Sequence, residues 1–573
     1  MTDIAAQGSL APGDAELRRS GVSDAALASP PAVGSSWSKL ALAHFGVAVV
    51  AFGVAATIAV MQAMSRANAA LPFRSERIFY LSVTAHGVLM AIVFTTFFIM
   101  GLGYVIARVG LRREIAGERL AWAGYFVALV GTILAAAVIL AGKASVLYTF
   151  YPPLKAHPLF YIGATLLVAG SWLWCVVMVR SYRAWRRENP GQPVPLPMHG
   201  IMATVIVWVL ATIGVALEMV FLLIPWSLGL RDTVDPVLAR TLFWWFGHPL
   251  VYFWLLPAYT LWYTVLPREA GGKLFSDPLA RLVFVLFILF STPVGFHHQF
   301  MDPGIPAGWK LAHTLSTFVI LFPSFVTAFT IIASLEYAGR ARGGTGLFGW
   351  IGRLPWKEPF FSSVALAMLV FALGGMGGAI NAAYGMNAVV HNTAWVQGHF
   401  HLTVGTAVAL TFMGATYWIL PRLTGRPLRL PAFAAVQPYL WFVGMMTFSV
   451  VNHATGLLGM PRRVYDASYG GHPAAQAWQA WTGLSAIGGV ILFASAMCFV
   501  AVVVATILNK RREDAPAITF AEPIGGTAHG GSILDRFGFW TVVAAVLVVL
   551  AYAYPIFDLL RMERFGAPGW SPF

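Results

Sequence analysis

Thirteen times along the chain an apolar run of roughly 20 residues or more recurs, the length that spans a bilayer's hydrocarbon core as a helix. The runs centre near Val50, Val93, Leu129, Val168, Leu210, Phe253, Leu289, Phe325, Val370, Leu410, Met445, Leu492 and Leu547. With no water to bond exposed peptide groups, such segments must satisfy their backbone internally. A chain that is 58% hydrophobic and 10% charged, with a mean hydropathy of +0.73, cannot be soluble. The expected fold class is all-α: a polytopic membrane helical bundle of about thirteen transmembrane helices.

A net charge of +14 would suit nucleic acid were it clustered on one surface, but its distribution follows the spans. The N-terminal segment and the six loops that return to its side carry 25 of the 37 Lys and Arg residues. By the positive-inside rule the N-terminus is cytoplasmic and, after an odd number of spans, the C-terminus is outside. The clusters Arg112/Arg113, Arg186/Arg187 and Lys510/Arg511/Arg512 are then topology signals that meet membrane lipid, and no nucleic-acid partner is expected. Residues 1–38, rich in Ala, Ser, Gly and Pro, lack the apolar core of a signal peptide and read as a disordered cytoplasmic segment. Residues 39–510 form a twelve-helix core, 511–535 a cytoplasmic linker, and 536–573 the thirteenth helix and outer C-terminus. Cys175 and Cys498 both fall inside spans, which excludes a disulfide framework, covalent haem attachment through CxxCH, and a thiolate pair for a dinuclear copper centre.

Ionisable residues inside a bilayer are rare and mark function. In Val-Gln-Gly-His-Phe-His-Leu-Thr-Val at 396–404, His399 and His401 are two residues apart, about 200° of helical rotation. They leave opposite sides of one rod and serve two centres, read as two haems flanking the helix. His86, in Ala-His-Gly at 85–87, lies eight residues into the second span, roughly 12 Å at the helical rise. His401 lies equally deep in the tenth, as a bis-histidine haem requires. His248 and Tyr252 share a face of the sixth span at i and i+4, although Pro249 should loosen the turn between them. The seventh span runs outward into Gly-Phe-His-His-Gln-Phe at 295–300, bringing His297 and His298 to the depth of His248. Three imidazoles there suit copper with an open position for substrate.

In these motifs the chain resembles subunit I of the haem-copper oxidases over nearly its whole length, in particular the B branch of ba-type cytochrome c oxidases. The matching stretches are Ala-His-Gly at 85–87, His-Pro-Leu-Val-Tyr at 248–252, His297/His298, His-Asn-Thr-Ala-Trp-Val-Gln-Gly-His-Phe-His at 391–401 and Met-Pro-Arg-Arg at 460–463. The resemblance implies a multi-pass enzyme of a bacterial-type inner membrane, with a periplasmic C-terminus. It would reduce dioxygen to water with electrons from cytochrome c, coupled to proton translocation. It implies two noncovalent haems, a low-spin one of b type on His86 and His401 and a high-spin one of a type on His399. One copper ion would be held by His248, His297 and His298, and the His248 and Tyr252 rings would be covalently joined. The partners implied are a subunit II carrying a dinuclear copper site and a small accessory subunit.

Leu250 stands where the A branch carries a glutamate, so a proton path ending there is absent. Tyr252, Tyr259 and Tyr263 descend one face of the sixth helix, and Ser324, Thr327 and Thr330 descend the eighth. Hydroxyls both donate and accept, and these positions match the proton channel of the B branch, although Ser and Thr in membrane helices more often bond their own backbone. Arg462 and Arg463 suit haem propionates through paired donors. His391 resembles the family residue beside the high-spin propionate, whereas Asn387 replaces a common Asp. His44, His313 and His453 read as structural, and Glu218 is a lone intramembrane carboxylate. Within the enzyme class the alternative is a nitric oxide reductase-type protein with non-haem iron and a nearby glutamate. From another class it is a haem or membrane transporter.

Overall fold

The computed structural model describes residues 33–69, 75–511, 515–527, 532–562 and 566–572. Among them, twelve helices are long and apolar enough to cross a membrane. In chain order with a shorter seventh, these are α1 Ser36–Arg66, α2 Glu76–Gly110, α3 Glu118–Leu140, α4 Pro158–Glu188, α5 Leu196–Ser227, α6 Pro236–Glu269, α7 Asp277–Phe290, α8 Ala307–Ala341, α9 Pro359–Ala382, α10 Ala394–Thr424, α11 Pro431–Leu457, α12 Pro473–Ile507 and α13 Phe537–Arg561. The expected seventh span is therefore only a 14-residue helix. Pro293 lies just beyond its end, and the chain turns through Ser291–Val294 into one 3-10 turn at Gly295–Gln299 that carries His297 and His298. Pro293 removes a donor and disfavours the helical conformation of the residue before it, the helix has ended by Phe290, and the pair sits on irregular backbone.

Helix starts follow local chemistry. Ser35 accepts from Ser38 N ahead of α1, and Asp235 accepts from Val237 N and Leu238 N before Pro236 opens α6. Such caps satisfy donors that the first turn leaves unpaired. The first helix thus begins three residues before the expected boundary at 39, while residues 1–32 of the expected lead lie outside the described residues. Helix α6, almost wholly buried, carries Pro249 and Pro257 without breaking.

Wider π turns interrupt α2 at Val88–Phe94, α5 at Met219–Leu223 and α10 at Thr403–Val408. Two of them begin two residues past His86 and His401, and the third comes directly after Glu218. π turns of this kind concentrate at functional sites.

The linker after α12 is bound to the core rather than hanging from it. Ala521 N donates to Thr264 O at 2.6 Å, Leu274 N to Glu522 O at 2.9 Å, and Ile524 N to Leu274 O at 2.9 Å. At its end, buried Asp535 receives Arg281 Nη1 at 2.7 Å and Val194 N at 3.0 Å, and Arg281 also grips Asp277 at 2.6 Å. Beyond α13, β2 (Ala567–Pro568) pairs antiparallel with β1 (Thr233–Val234).

Candidate metal centres

Three imidazoles gather between α6 and the turn after α7. One ring nitrogen from each of His248, His297 and His298 falls within 4.8 Å of the others, and no carboxylate belongs to the group. His248 Nδ1 and His298 Nε2 face each other at 3.1 Å. His297 Nδ1 meets Thr317 Oγ1 at 2.9 Å, and that hydroxyl spends its own proton on His313 O at 2.6 Å. His297 Nδ1 is therefore the donor and Nε2 keeps a free lone pair. Trp244 stacks on His298 with centroids 3.7 Å apart and planes 2° from parallel, which fixes that ring. His248 Nε2 is buried without a hydrogen-bond partner among the described residues. Tyr252 stands edge-on to the same ring at 5.2 Å. The donor set is neutral imidazole throughout, which suits copper.

Helix α10 sends its two histidines to opposite flanks, as their spacing requires. His399 Nδ1 donates to Gly374 O of α9 at 2.8 Å, where Gly377 and Gly378 let the ring lie against the helix. His401 Nδ1 donates to Gln397 O at 2.8 Å, and its ring lies 4.8 Å from Phe448 of α11. His86 Nδ1 donates to Ala55 O of α1 at 3.1 Å. A carbonyl only accepts, so all three rings carry the proton on Nδ1 and offer Nε2, the tautomer that a metal ligand needs.

His86 and His401 line one cleft enclosing about 1530 Å³ of empty space, part of it open to the surroundings. Phe52, Phe94, Trp441 and Phe448 supply apolar walls, and Arg66, Arg462 and Arg463 line the same cleft. An apolar slot with two free imidazole nitrogens and guanidinium groups fits a propionate-bearing haem. The Met-Pro-Arg-Arg loop is held against the start of α10 by Ala394 N to Met460 O at 2.7 Å and Arg462 N to Asn392 O at 2.9 Å. Burial and neighbouring Arg463 lower Arg462 to about 10, still a cation at neutral pH. His391, half-buried nearby, is pushed down to about 4 by burial and by Arg462 and Arg240. Asn387 bonds Asn381 O through Nδ2 at 2.7 Å, and its Oδ1 has no partner among the described residues.

The hydroxyls expected to descend α6 and α8 pair across the two helices. Tyr259 Oη donates to Ser324 Oγ at 3.3 Å and Tyr263 Oη to Thr327 Oγ1 at 2.6 Å. Thr327 and Thr330 bond back to Pro323 O and Val326 O. Ser334, one turn lower, extends the column and had no distinguishing signal in the sequence.

Several polar residues escaped sequence reasoning. Arg66 bonds Gln397 Oε1 at 3.1 Å and Met460 Sδ at 3.8 Å. Arg240 pairs with Asp302 at 2.9 Å. His199 lies 3.6 Å from Asp535. Glu218, by contrast, stood out in the sequence as a lone intramembrane carboxylate, and it is fully buried with neither carboxyl oxygen bonded among the described residues. Arginines near span ends look like ordinary topology signals in sequence, which hides Arg66 and Arg281.

Flanking one membrane helix with imidazole donors and setting a three-imidazole nest beside it makes this a membrane redox protein of the haem-copper class. Comparison with known proteins makes the assignment particular. The chain belongs to the family described as cytochrome c and quinol oxidase polypeptide I, whose model matches residues 39–491 and so leaves the linker and α13 outside the matched stretch. It is 47% identical over 512 residues to cytochrome c oxidase subunit 1 of Thermus thermophilus, covering 87% of this chain and 89% of that protein. Against the same subunit of Thermostichus vulcanus it is 25% identical over 442 residues, 74% of this chain and 76% of that one. A haem-copper terminal oxidase solved as a dimer by cryo-electron microscopy superposes with a TM-score of 0.90 at 38% identity, covering 94% of this chain and 96% of the other. Members of this family bind haems and copper.

Proposed function

We propose that the chain is the catalytic subunit of a terminal respiratory oxidase, which reduces dioxygen to water with electrons from cytochrome c and couples this to proton movement. The observation that carries this reading is the convergence of His248, His297 and His298 beside the Tyr252 ring, next to a helix whose histidines face two ways. His86 and His401 hold the low-spin haem, of b type, and His399 holds the high-spin haem, of a type. His248, His297 and His298 hold the copper. When bound, these groups supply the electron transfer and the redox chemistry of dioxygen, and the protein's part is to hold, tune and deliver protons.

His86, His297, His399 and His401 are each oriented by a hydrogen bond on Nδ1 and His298 by the Trp244 stack, so little movement remains at those ligating atoms. Arg462, Arg463 and His391 receive the propionates. Tyr252 holds its phenolic proton at the end of the hydroxyl column, its ring edge-on to His248 with centroids 5.2 Å apart. Protons reach it from the cytoplasmic side through Tyr263 with Thr327, Tyr259 with Ser324, and intervening water. Thr330 follows, with Ser334 one turn below it. The absence of a carboxylate from the histidine nest favours copper over the non-haem iron of a nitric oxide reductase. Orientation is set by the basic loops: N-terminus cytoplasmic, C-terminus periplasmic. A second subunit supplies the dinuclear copper site that two separated cysteines cannot build, and a small accessory subunit completes the assembly.

The test is haem extraction with copper quantification on the purified complex, alongside Tyr252→Phe. Two haems and one copper per chain are expected, with turnover lost in the variant while both haem spectra persist. Oxygen consumption at the parental rate in Tyr252→Phe would refute the tyrosine's role, and an iron-only preparation would overturn the copper assignment.

A further inference from the structure

The turn that carries His297 and His298 breaks a rule of membrane proteins: irregular backbone at bilayer depth survives only where other protein groups satisfy it. Here α13 supplies those groups. Tyr552 Oη accepts from Gly295 N at 3.0 Å and donates to Thr292 O at 3.1 Å. Phe296 N donates to His313 Nδ1 at 3.2 Å. That bond makes Nδ1 the acceptor, so Nε2 carries the proton and points it at Ala551 O of α13, 3.4 Å away. Three peptide units ahead of the ligand pair are thus tied, directly or through one imidazole, to two adjacent residues of α13.

The packing agrees. Phe296, Ile305, Val548, Ala551 and Tyr552 form a separate apolar cluster between the turn and α13. Trp245 of α6, three residues before His248, stacks on the Tyr552 ring at 5.2 Å and 10°. Gly295 packs so closely on Tyr552 Oη and Trp244 O that a Cβ has no room. His313 also touches the ligands from the other side, because its carbonyl receives the Thr317 hydroxyl that orients His297.

We propose that α13 is a positioning element for the copper pair, with Tyr552 and His313 as the residues through which it acts. The inference rests on the reading of His297 and His298 as copper ligands and adds what holds them in place. Neither residue touches the metal. Both fix the backbone from which two of its ligands project, and losing an outer hydrogen bond of this kind lowers metal affinity about 10–100-fold.

The experiment compares Tyr552→Phe, His313→Leu and His313→Gln with the parent and with Tyr554→Phe, a change on the exposed face of α13. Each purified complex is titrated with a copper chelator, haem content is read from reduced-minus-oxidised spectra, and the infrared stretch of carbon monoxide on the reduced copper is recorded. Tyr552→Phe and His313→Leu should lose copper at about tenfold lower chelator, with a shifted or broadened band and both haems retained. His313→Gln, whose amide can accept from Phe296 N and donate to Ala551 O, should recover most of the affinity, and Tyr554→Phe should match the parent. If His313→Leu fails to assemble, Tyr552→Phe, which removes a single oxygen, decides alone. Parental copper retention and an unshifted band in Tyr552→Phe would overturn the proposal. His297→Ala separates the two claims: should it keep its copper, the ligand assignment falls, whereas loss there with none in Tyr552→Phe removes only the role of α13.

Discussion

The imidazoles on α2 and α10 and those on the turn after α7 are held by opposite means. His86, His399 and His401 stand on regular helix, where the backbone already satisfies itself. Each then needs one carbonyl for its Nδ1, supplied by α1, α9 or its own preceding turn. His297 and His298 stand on a 3-10 turn after a proline, and their support is drawn from α6, α8 and α13 together. A helical ligand can therefore be read from its own element. A ligand on a broken element depends on partners far away in sequence, and that dependence makes it the more vulnerable of the two.

The largest effects should come from the helical ligands, and they should be independent of each other. His399→Ala is expected to remove the high-spin haem spectrum and leave the low-spin one, and His401→Ala the reverse, because the two rings leave opposite flanks of α10. Loss of both haems from either single change, seen in reduced-minus-oxidised spectra, would break the distinction between two locally supported sites.

A weaker but more telling effect is expected far from any metal. Arg281→Met takes the shared cation away from two buried carboxylates, Asp277 and Asp535, at a cost of about 3–5 kcal/mol. That ion group pins the entry to α13. On heating, copper should leave this variant before either haem does, whereas the parent should lose them together. Simultaneous loss in both proteins would show that α13 stabilises the whole bundle and not the turn in particular. Smaller again, Gly295→Ala should lower copper retention, because the added carbon meets Tyr552 and the Trp244 carbonyl, while Gly46→Ala on α1, with open space around it, should leave copper and haems unchanged. Equal behaviour of the two glycine variants in chelator titrations would remove the packing argument.

Legibility in the sequence divides the same way. Apolar runs and the opposed faces of His399 and His401 are local, periodic signals, so the bundle and the placement of α10 emerged from spacing alone. The depth match of His86 with His401 was available because both helices start at the same surface. The seventh span looked like a full crossing because Phe-Val-Leu-Phe-Ile-Leu-Phe at 284–290 is an unbroken apolar run, and only Pro293 signalled the break. Tyr552 carried no signal at all, and His313 read only as a structural histidine because nothing in the sequence ties it to Phe296. A tyrosine 257 residues from the glycine it braces shares no pattern with it. Arg281 and Asp535, likewise, resemble two ordinary loop charges until the fold brings them to 2.7 Å.

The smallest expected effect concerns His391 beside Arg462 and Arg240, where burial and the two cations act together. His391 is lowered from its ordinary 6.5 to about 4, so between those values the unfolded chain binds more protons than the folded one. Stability then rises with pH across that window and is lost as pH falls. In His391→Asn the thermal midpoint should decline less steeply between pH 6.5 and 4 than in the parent. Above that window the two slopes should coincide. Asp466, whose carboxyl is held below its ordinary 3.8 by Ser468 and Gly470, also favours higher pH but loses its contribution only below 3.8. The two residues are thus separable by window, and an unchanged slope in His391→Asn would mean that the imidazole is not confined beside Arg462 and Arg240.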